Sequence, residues 1–142
     1  MADIDWHLHP MVVHFPIALF TSALILEVLS LIMKREGLHH SAKHLYVLAA
    51  IVTPFVVKTG LLEADELQIH HPVLALHRRF ALLTMWTALA SLPILWVFQK
   101  QISKHFRTIF LIFLVLIVAS VSLAAYNGGR MVYEYGVGVE NK

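Results

Sequence analysis

Long apolar segments alternate with short polar ones along the whole chain. The apolar runs cover about residues 12–33, 44–62, 80–98 and 108–126. A helix needs about 20 apolar residues to cross a hydrocarbon core roughly 30 Å thick, and each run is long enough. The pattern therefore predicts an all-α protein, a four-helix transmembrane bundle. We expect residues 1–142 to form a single membrane domain with a C-terminal tail at 127–142, which the charge distribution below places on the periplasmic side.

The composition agrees with a membrane protein and narrows its chemistry. Of the 142 residues, 58% are hydrophobic and 14% are charged, whereas a soluble domain has about 25% charged residues. The chain contains no cysteine, which excludes disulfides, thiolate metal sites, iron–sulfur clusters and covalently attached c-type haem. Any redox centre must therefore use His, Met, Tyr or carboxylate ligands.

The charged residues divide between the two sides of the predicted bundle. The loops at 34–43 and 99–107 carry six Lys/Arg residues and one acid, whereas the opposite side carries seven acids and four Lys/Arg. By the positive-inside rule the first group faces the cytoplasm. We therefore expect a multi-pass protein of the bacterial inner membrane with both termini on the periplasmic side. Because the positive charge is segregated in this way, it does not indicate nucleic-acid binding.

Ten histidines stand out in so apolar a chain. Imidazole is costly in hydrocarbon and titrates near neutrality, so a cluster within a membrane protein suggests a functional site. Six histidines fall on the predicted periplasmic side: His7, His9, His14, His70, His71 and His77. His14 and His77 each begin a helical stripe of small or hydroxylated residues, which predicts that both face the bundle interior. Either they bond to backbone and water, or they bind a cofactor.

Two kinds of cofactor fit this histidine cluster. A bis-histidine haem b would take His14 and His77 as axial ligands, while Arg78 and Arg130 at the same level pair with the propionates. A copper, zinc or iron ion would require three or four ligands close together. His9 would then join His14 and His77, and His7, His70 and His71 could add further nitrogens.

One acidic residue, Glu27, lies within the first apolar run, near its cytoplasmic end. An ionised carboxylate without a partner should not persist there. We expect Glu27 to be protonated, or to bond to a group on the second or fourth span. His44 is the favoured partner, with His105 as the alternative. We expect a structural role for this residue rather than a role in proton transfer.

Two end segments resemble a known bacterial inner-membrane family. Residues 9–17 read HPMVVHFPI and residues 128–139 read GGRMVYEYGVGV, and both are similar to the domain of unknown function 2231. The GLLEAD segment at 60–65 and His77 at the start of the third span also fit. The resemblance implies a four-span membrane domain, sometimes found beside Rieske or c-type cytochrome modules, which suggests electron transfer by association. Tyr135 stands where many members have histidine, so this chain lacks that side chain.

Three functional interpretations follow. The first is a small membrane b-type cytochrome that relays electrons near the periplasmic face, as a subunit of a larger complex, with a quinone or a redox protein as its partner. The second is a histidine-lined protein that binds or transports copper, zinc or iron. The third is a non-catalytic anchor or assembly subunit. No residue is predicted to be catalytic.

Overall fold

Five helices make up the described part of the protein. A computed structural model describes residues 8–66, 71–98 and 104–137. The helices are α1 (Leu8–Val12), α2 (His14–Met33), α3 (Glu36–Glu66), α4 (Pro72–Phe98) and α5 (Lys104–Tyr133). Four stretches are long and apolar enough to cross a membrane: Leu8–Met33, Glu36–Asp65, Pro72–Val97 and His105–Tyr133. The predicted all-α, four-span architecture is confirmed.

The four long helices form two antiparallel hairpins. In the first hairpin α1 and α2 pack along α3, and in the second α4 packs along α5. The hairpins meet through α2 with α5 and α3 with α4, and these contacts are less extensive than those within each hairpin. One end of the bundle, here called the histidine end, holds His9 and His77. The opposite end, called the basic end, holds Lys34, Arg35 and Arg107.

The helices extend beyond the apolar runs from which they were predicted. α3 begins at Glu36, well before the apolar run that starts near residue 44. Its tight connection to α2 explains this, because Lys34 adopts a left-handed conformation with φ 55° and its N–H bonds to the carbonyl of Ser30. Such a cap ends one helix within a single residue. The polar residues that follow the cap are therefore already helical.

The centre of the bundle is aromatic and surrounded by small residues. The ring of Tyr46 lies 5.6 Å from that of Phe20 and 5.4 Å from that of Phe110, centroid to centroid. Its hydroxyl lies 2.5 Å from the hydroxyl oxygen of Ser91, which joins α3 to α4. Many large apolar side chains lie on the outside instead, Trp96 with 72% of its surface exposed among them. Lipid is the solvent for such side chains, so close helix packing depends on the small and polar ones.

Candidate functional site

His9 is held against α3 by its own ring nitrogen. Nδ1 of His9 lies 3.0 Å from the carbonyl oxygen of Val56 and 3.3 Å from the hydroxyl oxygen of Thr59. A carbonyl oxygen only accepts hydrogen bonds, so Nδ1 carries the proton and donates it. In this tautomer Nε2 keeps a lone pair that can bind a metal.

A glycine provides the space for the His9 ring. A Cβ atom placed on Gly60 would lie 2.7 Å from Cε1 of His9 and 2.9 Å from Nδ1. No side chain larger than hydrogen fits there unless the imidazole moves. Gly60 is therefore part of the seat that fixes His9 against α3.

His77 is held in the same way by the second hairpin. Its Nδ1 lies 2.7 Å from the carbonyl oxygen of Ala124 on α5. A Cβ atom on Gly128 would lie 3.2 Å from the same nitrogen. In each hairpin, then, the histidine donates to a backbone carbonyl on the neighbouring helix. It also lies beside a glycine that follows the carbonyl residue by four positions. Residues four apart share one helix face, so carbonyl and glycine form a single seat for an imidazole.

The two imidazoles, one from each hairpin, lie close together in a T-shaped arrangement. Their ring centroids are 6.1 Å apart and their planes are inclined by 83°. Two imidazoles on opposite sides of one metal, with metal–nitrogen bonds of about 2.0 Å, have centroids roughly 6 Å apart. In the described part of the chain, neither Nε2 atom has a hydrogen-bond partner. The separation therefore suits a metal held between two nitrogens.

A cavity of about 160 Å³ lies between the hairpins, with His9 and His77 in its wall. Much of the lining is small, because Gly60, Ala64, Ala81, Ala124 and Ala125 contribute to it. The charged residues of the wall are Asp65 and Arg78. The cavity therefore brings together two imidazoles, several small residues and one exposed arginine.

His14 does not belong to this site. It is exposed, its Nδ1 bonds to the carbonyl oxygen of Pro10 at 3.1 Å, and it does not line the cavity. The prediction that His14 faces the interior opposite His77 is therefore wrong. His14 follows His9 by five residues, which at about 100° per residue turns it roughly 140° away from the His9 face. The stripe predicted below His77 is correct, since Thr84, Ala88 and Ser91 are buried.

The two predicted arginines have different surroundings. Arg78 lines the cavity and is exposed. Arg130 donates to the carboxylate of Glu134 at 2.8 Å and to the hydroxyl of Tyr135 at 2.9 Å, and it does not line the cavity. The ring of Tyr135 in turn lies 4.2 Å from that of His71. Arg130 thus ties the start of the C-terminal tail to the residue before α4.

The larger ligand set predicted for a metal ion is not assembled in the described residues. Across 8–66, 71–98 and 104–137, no group of three or more His, Asp or Glu side chains is placed to hold an ion. Of the predicted set His14, His77 and His9, the structure brings together His9 and His77. His7 and His70 lie outside the described residues.

A second polar cluster lies at the basic end. Glu27 is fully buried, with one carboxylate oxygen 2.6 Å from Nδ1 of His39 and the other 3.4 Å from Nε of Arg107. Arg107 also bonds to Glu36 at 2.9 Å and to the hydroxyl of Ser30. The partners of Glu27 thus lie on α3 and α5, which are the predicted second and fourth spans.

The predicted partner of Glu27, His44, is wrong. His44 is exposed, and His39 takes its place. The cause is the early start of α3, which makes residue 39 helical. Five residues, or about 140°, separate the directions in which His39 and His44 point. His105, the predicted alternative, is exposed as well.

Sequence reasoning missed His39, Arg107 and the two glycine seats. In the sequence, Arg107 contributes only to the positive charge of the loop from which the topology is predicted. Gly60 and Gly128 appeared only inside the family-like segments, although each lies four residues after the carbonyl that a histidine contacts. The four-residue spacing between each glycine and the carbonyl residue before it could have indicated a seat. It does not reveal which histidine contacts that seat.

A comparison with known protein families found a match that covers almost the whole chain. No curated protein and no solved structure matches it. Residues 6–141 match the family model described as a predicted membrane protein, a span that contains all five helices and both histidine seats. This chain therefore belongs to the family of predicted membrane proteins called domain of unknown function 2231.

Proposed function

We propose that this protein is a small membrane b-type cytochrome that relays electrons near its histidine end, where His9 and His77 would hold haem b. The observation that carries the proposal is the shared geometry of the two imidazoles. Each donates its Nδ1 proton to a backbone carbonyl, and their ring centroids are 6.1 Å apart. A metal-ligating histidine usually donates its other N–H to a carbonyl or carboxylate, which fixes its tautomer and orientation.

The donor set fits a haem iron. His9 comes from one hairpin and His77 from the other, so the ligands approach from opposite sides, and small residues lie beside them. Haem would supply one-electron chemistry, while the protein supplies the ligands and an apolar surrounding. The present cavity of about 160 Å³ is smaller than a pocket for a drug-sized molecule, about 300 Å³ or more. Loading haem would therefore require side chains at the seam between the hairpins to move aside, where the packing is less extensive, while His9 and His77 keep their separation.

Arg78 is the better placed of the two predicted partners for a haem propionate. It is exposed and lines the cavity, whereas Arg130 already pairs with Glu134. A guanidinium at the mouth of the cavity can bind a carboxylate through two hydrogen bonds. The proposal therefore assigns the propionate contact to Arg78.

One observation favours a second candidate, a single copper ion bound by His9 and His77 alone. The cavity is of a size that suits an ion, and copper in its reduced state accepts two imidazoles in a linear arrangement. Zinc is less favoured, because structural zinc sites have four ligands and the described residues place no third His, Asp or Glu beside the pair.

The cellular setting belongs to the same proposal. The excess of Lys/Arg at the basic end supports a bacterial inner-membrane protein with both termini, and hence the histidine end, on the periplasmic side. The electron partner would then be a quinone in the bilayer or a redox protein at the periplasmic surface. In this proposal the protein works as a subunit of a larger complex.

The visible spectrum of the purified protein tests the proposal. The protein is produced with haem precursor in excess, purified in mild detergent, and measured after oxidation and after reduction with dithionite. We expect the sharp bands of low-spin, six-coordinate haem in the reduced protein. His9→Ala and His77→Ala should each lose these bands or convert them to high-spin bands.

His14→Ala is the matched control, because His14 is exposed and bonds to its own helix. It should leave the spectrum unchanged. A folded, colourless protein would reject the haem assignment. Elemental analysis then separates the remaining interpretations. One copper per chain, lost in His9→Ala and His77→Ala, would support the second candidate, whereas no bound metal would leave a non-catalytic anchor.

A further inference from the structure

An open groove lies between α3 and α4 at the basic end, away from the histidine site. Its volume is about 860 Å³. The α3 wall is polar and the α4 wall is largely apolar. The residues that give the groove this character are His40, Lys43 and His44 on α3 and Leu92, Leu95 and Trp96 on α4.

The positive charge of this groove has no acidic partner in the described part of the chain. The nearest acid along α3, Glu36, is bonded to Arg107. Helix α4, which forms the other wall, contains no Asp or Glu from Pro72 to Phe98. Lys43 forms no ion pair with any described residue. An anion from outside the chain would complement this charge.

Two features of the groove are typical of a position near the lipid headgroups. Trp96 is two residues from the end of α4 and 72% exposed, and exposed tryptophan near a helix end is typical of the membrane interface. Lys43 is two turns into α3, from where its side chain can reach back toward the headgroups. Below them Val47 and Leu92 continue the groove as an apolar surface.

We propose that this groove binds an anionic phospholipid. The phosphate of the headgroup pairs with Lys43 and accepts hydrogen bonds from His40 and His44, and one acyl chain lies along Val47 and Leu92. Basic pockets between transmembrane helices bind anionic headgroups in this way. The groove is separate from the histidine site, so the proposal holds whether or not haem is bound.

Fluorescence quenching at Trp96 tests the proposal directly. The chain has three tryptophans, so Trp6→Phe with Trp86→Phe leaves Trp96 as the single reporter. This double variant is reconstituted into phosphatidylcholine vesicles that also contain a lipid with brominated acyl chains. The brominated lipid is phosphatidylglycerol in one set of vesicles and phosphatidylcholine in the other. Quenching at equal mole fractions gives the relative binding constants of the two lipids next to Trp96.

We expect phosphatidylglycerol to bind next to Trp96 at least about fivefold more strongly than phosphatidylcholine, since one lysine near anionic lipid contributes about 1 kcal/mol. Lys43→Gln should reduce the preference by about fivefold, and Lys43→Arg should retain it. Lys58→Gln is the matched control, because Lys58 is an exposed lysine of the same helix at the opposite end, and it should retain the full preference.

Equal quenching by the two lipids would overturn the proposal, and so would a preference that survives Lys43→Gln. The first result would mean that ordinary annular lipid, a quinone or a partner helix occupies the groove, and the second that the groove's lysine does not select the lipid next to Trp96. If Lys43→Gln fails to fold, the double variant His40→Gln with His44→Gln takes its place, because both side chains are exposed. The proposal then requires a reduced preference for phosphatidylglycerol in that variant.

Discussion

Arg107→Met removes the guanidinium next to the buried Glu27 and keeps an unbranched side chain in place of the aliphatic part of the arginine. In the native protein one carboxylate oxygen of Glu27 faces Arg107 at 3.4 Å and the other faces His39 at 2.6 Å. Glu27 has 0% of its surface exposed, so water cannot replace the lost contact. After the substitution, His39 is its remaining partner among the described residues.

The expected cost follows from the burial of each partner. Removing one member of a buried ion pair costs about 3–5 kcal/mol, because the other charge stays buried without compensation. The 3.4 Å contact is long and His39 remains, so we expect a loss of about 3 kcal/mol, the lower end of that range. Arg107 also contacts Glu36, but that side chain is 54% exposed and the contact contributes less than about 1 kcal/mol.

The assay is unfolding by sodium dodecyl sulfate in mixed micelles, followed by far-ultraviolet circular dichroism. Glu36→Gln is the matched control and should lose less than about 1 kcal/mol. The double variant Glu27→Gln with Arg107→Met should be more stable than Arg107→Met alone by about 2 kcal/mol. The glutamine carries no charge, and its amide oxygen still accepts a hydrogen bond from His39.

Two results would refute this reasoning. If Arg107→Met loses no more stability than Glu36→Gln, then Glu27 does not depend on Arg107 as a buried carboxylate. If the double variant is less stable than Arg107→Met alone, the cost does not come from an uncompensated charge. In either case Glu27 would be a protonated hydrogen-bonding group.

Three further predictions concern the histidine seat, the core and the topology. Gly60→Ala should displace His9 and weaken cofactor binding at least tenfold, whereas Gly129→Ala, with nothing within 4 Å of its new Cβ, should leave binding unchanged in a titration. Tyr46→Phe removes the hydroxyl contact between α3 and α4 and should cost about 0.5–1.5 kcal/mol in the unfolding assay, so a larger loss would indicate disrupted packing. A reporter fused to Lys142 should be active only if it works in the periplasm, and activity of a cytoplasmic reporter there would invert the proposed orientation.

The basic-end cluster shows how far local pattern extends. Because a bare carboxylate is unstable in hydrocarbon, the sequence predicts that Glu27 is either protonated or bonded to the second or fourth span, and the structure shows bonds to both spans. The sequence predicts His44 as the partner instead of His39, because the polar residues before the apolar run show no helical pattern. His39 and His44 are five residues apart, so they point from different faces of the helix, and His39 is the one that points inward. The start of α3 depends on the cap at Lys34, which hydropathy does not report.

The sequence by itself determined the number of spans, the charge difference between the two ends and the placement of six of the ten histidines at one of them. Length, hydropathy and charge are local properties, so one chain is enough to read them. Only the tertiary structure decided that His9, and not His14, faces His77. The seats of these histidines are a carbonyl and a glycine on neighbouring helices, and the carbonyl is 47 residues away along the chain in both cases. Such seats arise from the packing of helix on helix, and a periodicity measured along one helix does not contain that information.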